Sequence, residues 1–143
     1  MKKLTTAGLS MFLAGLPLTL FAAGNYDGSK PMMCASVEVI ECVPRGGCQP
    51  VTAASVDAPR FIEVDVSKKK LSARFANGER SSTIERTESV DGKLMLQGVE
   101  DGREAERDGI GWTLSITEER GDMVLSGSGD SVAFVIFGSC TML

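Results

Sequence analysis

The chain has 143 residues, of which 43% are hydrophobic and 24% charged, with a formal net charge of −4 and no histidine. That balance belongs to a folded chain, and the length allows one domain rather than two. The missing histidine excludes histidine-based triads, histidine metal sites and a histidine pH switch.

Met1-Lys2-Lys3 is a positive start, Leu4 to Phe21 carries no charge, and Ala22-Ala23-Gly24 are small residues before a polar stretch. These are the three parts of a secretory signal peptide, so residues 1–24 are expected to be cleaved from an exported protein, periplasmic or secreted and bacterial in type. Gly8, Gly15 and Pro17 interrupt the apolar stretch, which argues against a permanent anchor. Cleavage after Gly24 leaves 119 residues and removes Lys2 and Lys3, moving the formal charge to −6. Such a charge repels phosphate backbones and anionic lipid. The expectation is no nucleic-acid partner and no stable membrane insertion after cleavage. Asn25 to Pro31 reads as a flexible lead-in, and residues 32–143 as a single domain.

Strand signals then recur at short spacing. The first strand spans about Met33 to Val43, and the turn Pro44 to Gly47 leads into a second over Gln49 to Val56. Asp57-Ala58-Pro59 breaks the chain. In Phe61 to Val66 the apolar Ile62, Val64 and Val66 alternate with Glu63 and Asp65. Ser67 to Lys70 turns into the strand Leu71 to Phe75, and Asn77-Gly78 is a further turn signal. Ser82 to Val90 is a more polar strand, and Asp91-Gly92 marks a hairpin into Lys93 to Val99. Glu100 to Gly109 is a charged loop. Ile110, Trp112, Leu114 and Ile116 alternate with small or polar residues, the pattern of a half-buried strand. Glu118 to Gly121 turns the chain into Met123-Val124-Leu125. Gly127 to Asp130 turns it again into Val132 to Gly138, which is apolar on both faces and should be covered on its outer side or lie centrally.

No helical periodicity is sustained after the leader. The class is therefore all-β: a small antiparallel up-and-down barrel of about eight strands, with a β-sandwich as the alternative.

Cys34, Cys42, Cys48 and Cys140 are expected to form two disulfides. Cys34 and Cys42 would stand roughly 26 Å apart along one extended strand, too far for a bridge. Cys42 and Cys48 flank an evident turn, so these two pair, and Cys34 pairs with Cys140. The long bridge ties the first strand to the last, which favours the barrel, where those strands are antiparallel neighbours. The gaps between cysteines do not fit a zinc knuckle or a Cys-x-x-Cys redox pair.

Other motifs read as structure. Ser67-Lys68-Lys69-Lys70 matches Ser-x-x-Lys but lies in a turn and lacks the partner motifs of penicillin-recognising enzymes. Glu63 with Asp65, and Glu118 with Glu119, read as exposed carboxylates of ordinary acidity. The acidic loop, with Glu100, Asp101, Glu104, Glu106 and Asp108, reads as solvated; Arg103 and Arg107 supply counter-ions, and no calcium-binding repeat is present. No catalytic residue, metal or cofactor is expected.

Ile110, Trp112, Leu114 and Ile116, with Phe134, face the interior of a barrel. Small barrels are commonly filled by side chains, so they read first as core and second as the lining of a ligand pocket. The leading functional expectation is a non-enzymatic binding module for a small apolar ligand. Two alternatives stand beside it. One is a protein-binding role, such as inhibition of a basic envelope hydrolase steered by the acidic loop. The other is a structural accessory of an envelope assembly.

Cys34-Ala35, Leu96-Gln97-Gly98 and Phe137-Gly138-Ser139-Cys140 resemble a group of small exported bacterial β proteins. The resemblance implies a single disulfide-stapled β domain and no particular activity. In size, acidity and terminal cysteine placement the chain is also similar to the small periplasmic barrels that inhibit lysozymes, but it lacks their Ser-Gly…Tyr loop.

Overall fold

In a computed structural model, residues 25–102 and 109–143 are described. They form nine strands: β1 Met32–Val43, β2 Gly47–Val51, β3 Phe61–Asp65, β4 Lys70–Phe75, β5 Gly78–Val90, β6 Lys93–Glu100, β7 Ile110–Thr117, β8 Asp122–Gly129 and β9 Val132–Met142. Every neighbouring pair is antiparallel, and β1 pairs with β9 to close the sheet. Eight strands therefore make an up-and-down barrel, and β2 is an added strand on β1. Closure excludes the sandwich, since a closed sheet has no second layer to pack against.

Alternation sets which residues fill the barrel. Directly paired residues share a face, so one inward level can be followed around the sheet. Ile84 lies opposite Gly98 on β6, Gly98 opposite Trp112 on β7, Trp112 opposite Gly127 on β8, and Gly127 opposite Phe134 on β9. Below this level the core is packed with Met32, Ile62, Val64, Leu94, Leu96, Leu114, Ile116 and Met123, all essentially inaccessible. Both expected disulfides are present, Cys34–Cys140 and Cys42–Cys48. Each joins directly opposed residues of an antiparallel pair. The long bridge lies buried at the seam that closes the barrel, and the short one staples a hairpin that rises beyond it.

Several boundaries differ from the sequence reading. β2 ends at Val51, and residues 53–57 form turns. β5 begins at Gly78, because the tight loop is Ala76-Asn77 with Phe75 opposite Gly78. β8 runs on through Gly127 to Gly129, and the turn falls at Asp130-Ser131. Glycine there serves packing, since a Cβ on Gly127 would sit 3.2 Å from the Ile110 Cγ2. At the other end Asp91-Gly92 makes the expected two-residue hairpin, with φ of 51° and 70°, the primed turn that suits strand twist. Register shifts mark bulges between Ser36 and Glu38 in β1 and between Ile84 and Arg86 in β5.

The two ends of the barrel are closed differently. Asn25–Pro31 crosses one end. The Tyr26 N–H donates to the Glu118 carbonyl at 2.9 Å, and the Leu143 N–H donates to the Pro31 carbonyl at 3.0 Å. The Tyr26 ring packs on the core. The other end lies beneath the β2–β3 segment, residues 52–60. The outer face of β9 stays partly open: Phe137 is 38% exposed, beside Val124 at 39%.

Candidate functional site

The β2–β3 segment is a lid over the second end. Its Ala58 N–H donates to the Ala53 carbonyl at 2.8 Å, and its Arg60 N–H to the Arg74 carbonyl at 2.9 Å. The Ser36 hydroxyl donates to the Pro59 carbonyl at 2.7 Å, tying the lid to β1. Ala58 and Pro59 are buried by this docking.

Beneath the lid lies a cavity of about 100 Å³. Val56, Ala58 and Pro59 roof it; Ile62, Leu71 and Ala73 wall one side. Ile110, Trp112, Leu125, Gly127, Phe134 and Ile136 wall the other. Apolar surface dominates, as expected for a binding cleft. The size is well below the roughly 300–1,000 Å³ of pockets for drug-sized ligands. It is nearer the roughly 150 Å³ apolar cavity that accepts benzene.

Trp112 fits because its neighbours on both sides are glycines. A Cβ on Gly98 would lie 2.4 Å from the Trp112 Cζ2 and 2.4 Å from the Thr83 carbonyl oxygen. The indole therefore lies flat against bare backbone, and only glycine leaves it that space. Trp112 is 8% exposed, and its Nε1–H meets no acceptor among the described residues. A buried donor left unpaired costs about 1–3 kcal/mol.

The rim is ionic. Arg80, on the inward phase of β5, donates from Nη2 to the Asp57 Oδ2 of the lid at 2.6 Å and from Nη1 to the Glu100 Oε1 at 3.1 Å. Its guanidinium also lies 3.8 Å from the centroid of the Phe75 ring. Asp57 and Arg80 keep part of their side chains in solvent, so this ion pair stands at the boundary between cavity and solvent. Two carboxylates against one guanidinium leave the rim negative.

The cavity brings together three of the five residues expected to line it, Ile110, Trp112 and Phe134. Leu114 and Ile116 lie deeper and are pure core. Within the acidic loop, Glu100 is bound to Arg80 rather than free to steer a partner. Asp101 is exposed, and Glu104, Glu106 and Asp108 lie outside the described residues. Arg80 and Asp57 were not foreseen. The available signal was phase: Arg80 and Ser82 share the parity of Ile84, which points a charge inward.

One carboxylate departs from the sequence expectation. Asp65 is 5% exposed, not a solvated charge. It accepts from the Lys68 ammonium at 2.8 Å, the Ser67 hydroxyl at 2.7 Å and the Lys68 backbone N–H at 3.0 Å. Those donors, the Lys68 side chain foremost, hold its acidity at a pKa of about 2. Asp65 thereby organises the turn at Ser67–Lys69. Glu118, by contrast, accepts from the Ser89 hydroxyl at the surface.

Among the described residues no group of three or more carboxylates or cysteines is placed to hold a metal ion, and all four cysteines are bridged. No helix of the described residues is long and apolar enough to cross a membrane. No protein-family model, curated protein or solved structure matches the chain.

Proposed function

We propose that this protein is an exported binding module, not an enzyme, that holds a small apolar ligand under the lid of its barrel. The observation that carries the reading is the roofed apolar cavity itself, set above the essentially inaccessible Leu94, Leu96, Leu114 and Ile116. The two rim carboxylates support a binding role, because each is already committed to Arg80 rather than poised for acid–base work. The two disulfides support residence in an oxidising compartment such as the periplasm. The volume favours a ligand, or the end of one, of a single small ring or short branched chain.

Native mass spectrometry of protein purified from its own cells tests this. The expected spectrum shows the leaderless chain, two disulfides and a small adduct that leaves on unfolding. A bare chain would count against the reading. If small hydrocarbons also left the Trp112 indole resonance unmoved up to their solubility limit, the reading would be overturned.

A further inference from the structure

The wall of the barrel is split at the lid end between β5 and β6. The β5–β6 ladder ends at Thr83–Val99. Beyond it β5 pairs with β4 alone, and Glu100 pairs with Ile110 of β7. Across the gap the Arg80 Nη1 donates to the Glu100 Oε1 at 3.1 Å. A cleft of about 420 Å³ lies in this split, lined by Arg80, Ser82, Thr83, Glu85, Glu100 and Asp101 among others. Arg80, Ser82 and Glu100 also line the roofed cavity. The two spaces therefore adjoin: one is small and apolar, the other polar and open to solvent at the exposed Thr83, Glu85 and Asp101. We infer that the ligand is a small amphipathic amine, with its hydrocarbon end in the roofed cavity and its ammonium head in the β5–β6 split against Glu100 and Asp101. This rests on the cavity being a ligand site, and it names the class of ligand.

Charge decides the head. Among the described residues the cleft carries three carboxylates, Glu85, Glu100 and Asp101, and a single cation, Arg80. Both terminal nitrogens of Arg80 are already bonded, to Asp57 and to Glu100, and its face rests on Phe75. A carboxylate head would have to take Arg80 from these partners amid like charge. An ammonium meets the opposite situation. Arg80 engages only the Oε1 of Glu100, and Asp101 is exposed, so acceptor capacity remains for a three-donor head. Hydrogen bonds to charged groups exceed neutral ones, by about tenfold in affinity here. That advantage is Coulombic and shrinks as salt shortens the Debye length to about 3 Å near 1 M. The hydrocarbon end, a short branched chain or small ring, lies among Ile62, Leu125 and Ile136.

3-Methylbutylamine, 3-methylbutanol and 3-methylbutanoate separate the possibilities, because they share one branched frame and differ in an ammonium, hydroxyl or carboxylate head. Trp112 is the only tryptophan and lines the cavity, so its emission reports filling of the apolar end, and calorimetry gives the affinities. The expected result at low salt is an amine that binds about tenfold more tightly than the alcohol, with the carboxylate weakest. In about 1 M salt the amine and the alcohol should converge. Asp101→Asn, which leaves the Arg80–Glu100 pair in place, should narrow the amine's lead, and Glu100→Gln should narrow it further. A lead unmoved by both variants overturns the placement against Glu100 and Asp101. Equal binding of amine and alcohol at low salt, or a carboxylate that binds tightest, overturns the ammonium assignment alone. Absence of binding by both amine and alcohol overturns the ligand site itself.

Discussion

Removing the two disulfides separately should have very unequal effects, and the inequality measures what barrel closure contributes. The Cys34–Cys140 bridge spans 106 residues and the Cys42–Cys48 bridge six. In the chain-entropy description the long loop takes about 16 cal/mol/K from the unfolded chain, or about 4.8 kcal/mol near room temperature. The short loop takes about 7 cal/mol/K, or about 2.2 kcal/mol. A domain of this size moves roughly 4 °C in melting temperature per kcal/mol. The double variant Cys34→Ala/Cys140→Ala should therefore melt roughly 20 °C lower, and Cys42→Ala/Cys48→Ala roughly 9 °C lower. Cys34 is fully buried, so alanine there adds a small cavity cost to the first figure. Urea unfolding followed through Trp112 fluorescence gives both stabilities and their slopes. The slope should rise in the long-bridge variant, because its unfolded chain expands further. Equal losses, or a larger loss from the hairpin variant, would refute the view that the long bridge acts by restraining barrel closure.

Three other outcomes follow from the geometry. Gly98→Ala places a methyl against the Thr83 carbonyl and the Trp112 ring; it should cost about 1–3 kcal/mol and shift the tryptophan emission, and an unchanged spectrum would count against the packing described. Asp65 has a folded pKa of about 2 against an ordinary 3.8, a depressed carboxylate. Its contribution is complete above pH 3.8 and is lost as pH falls through about 2. Asp65→Asn should flatten the acid limb of a stability–pH curve over that window, and an unaltered limb would show that Asp65 does not drive it. Arg80→Met releases Asp57 from the rim and leaves the part-buried Glu100 without its partner; the exposed pair is worth at most about 1 kcal/mol and the unpaired carboxylate about 1–3 kcal/mol, so global stability should fall by a few kcal/mol at most. Amide exchange over residues 53–58 should quicken, and unchanged protection there would show that Arg80 does not hold the lid.

Much of the scaffold was legible because period-two alternation and cysteine spacing are local signals with one geometric solution. Ile110 to Ile116 declared their inward face; the reach of an extended strand excluded Cys34–Cys42, the turn between Cys42 and Cys48 joined those two, and Cys34 was left for Cys140. What escaped depends on partners distant in sequence. Gly127 reads as a turn residue until Ile110 is seen packed against it. Asp65 reads as a surface charge until its turn folds back three donors onto it. The bulge that leaves Val37 80% exposed has no counterpart in the pattern of polar and apolar residues. At the cavity, alternation pointed to Trp112, but not to its unpaired N–H. That property needs the positions of every neighbouring acceptor. The Leu96-Gln97-Gly98 motif has its physical reason in the indole it accommodates.

β1 gives one edge to two partners in succession. Ala35 pairs with Phe61 at the start of β3, and Val39 pairs with Val51 at the end of β2. Both feet of the lid thus stand on a single strand, roughly 13 Å apart at the rise of extended backbone. The lid is an arch whose span is fixed by β1 and not by its own length. Its crown can be lengthened, shortened or rewritten without disturbing a rung of the barrel ladder. Under the proposed ligand-binding reading, such a part lets one scaffold be refitted to new ligands, with the seam at Cys34–Cys140 holding the vessel closed while the cover changes.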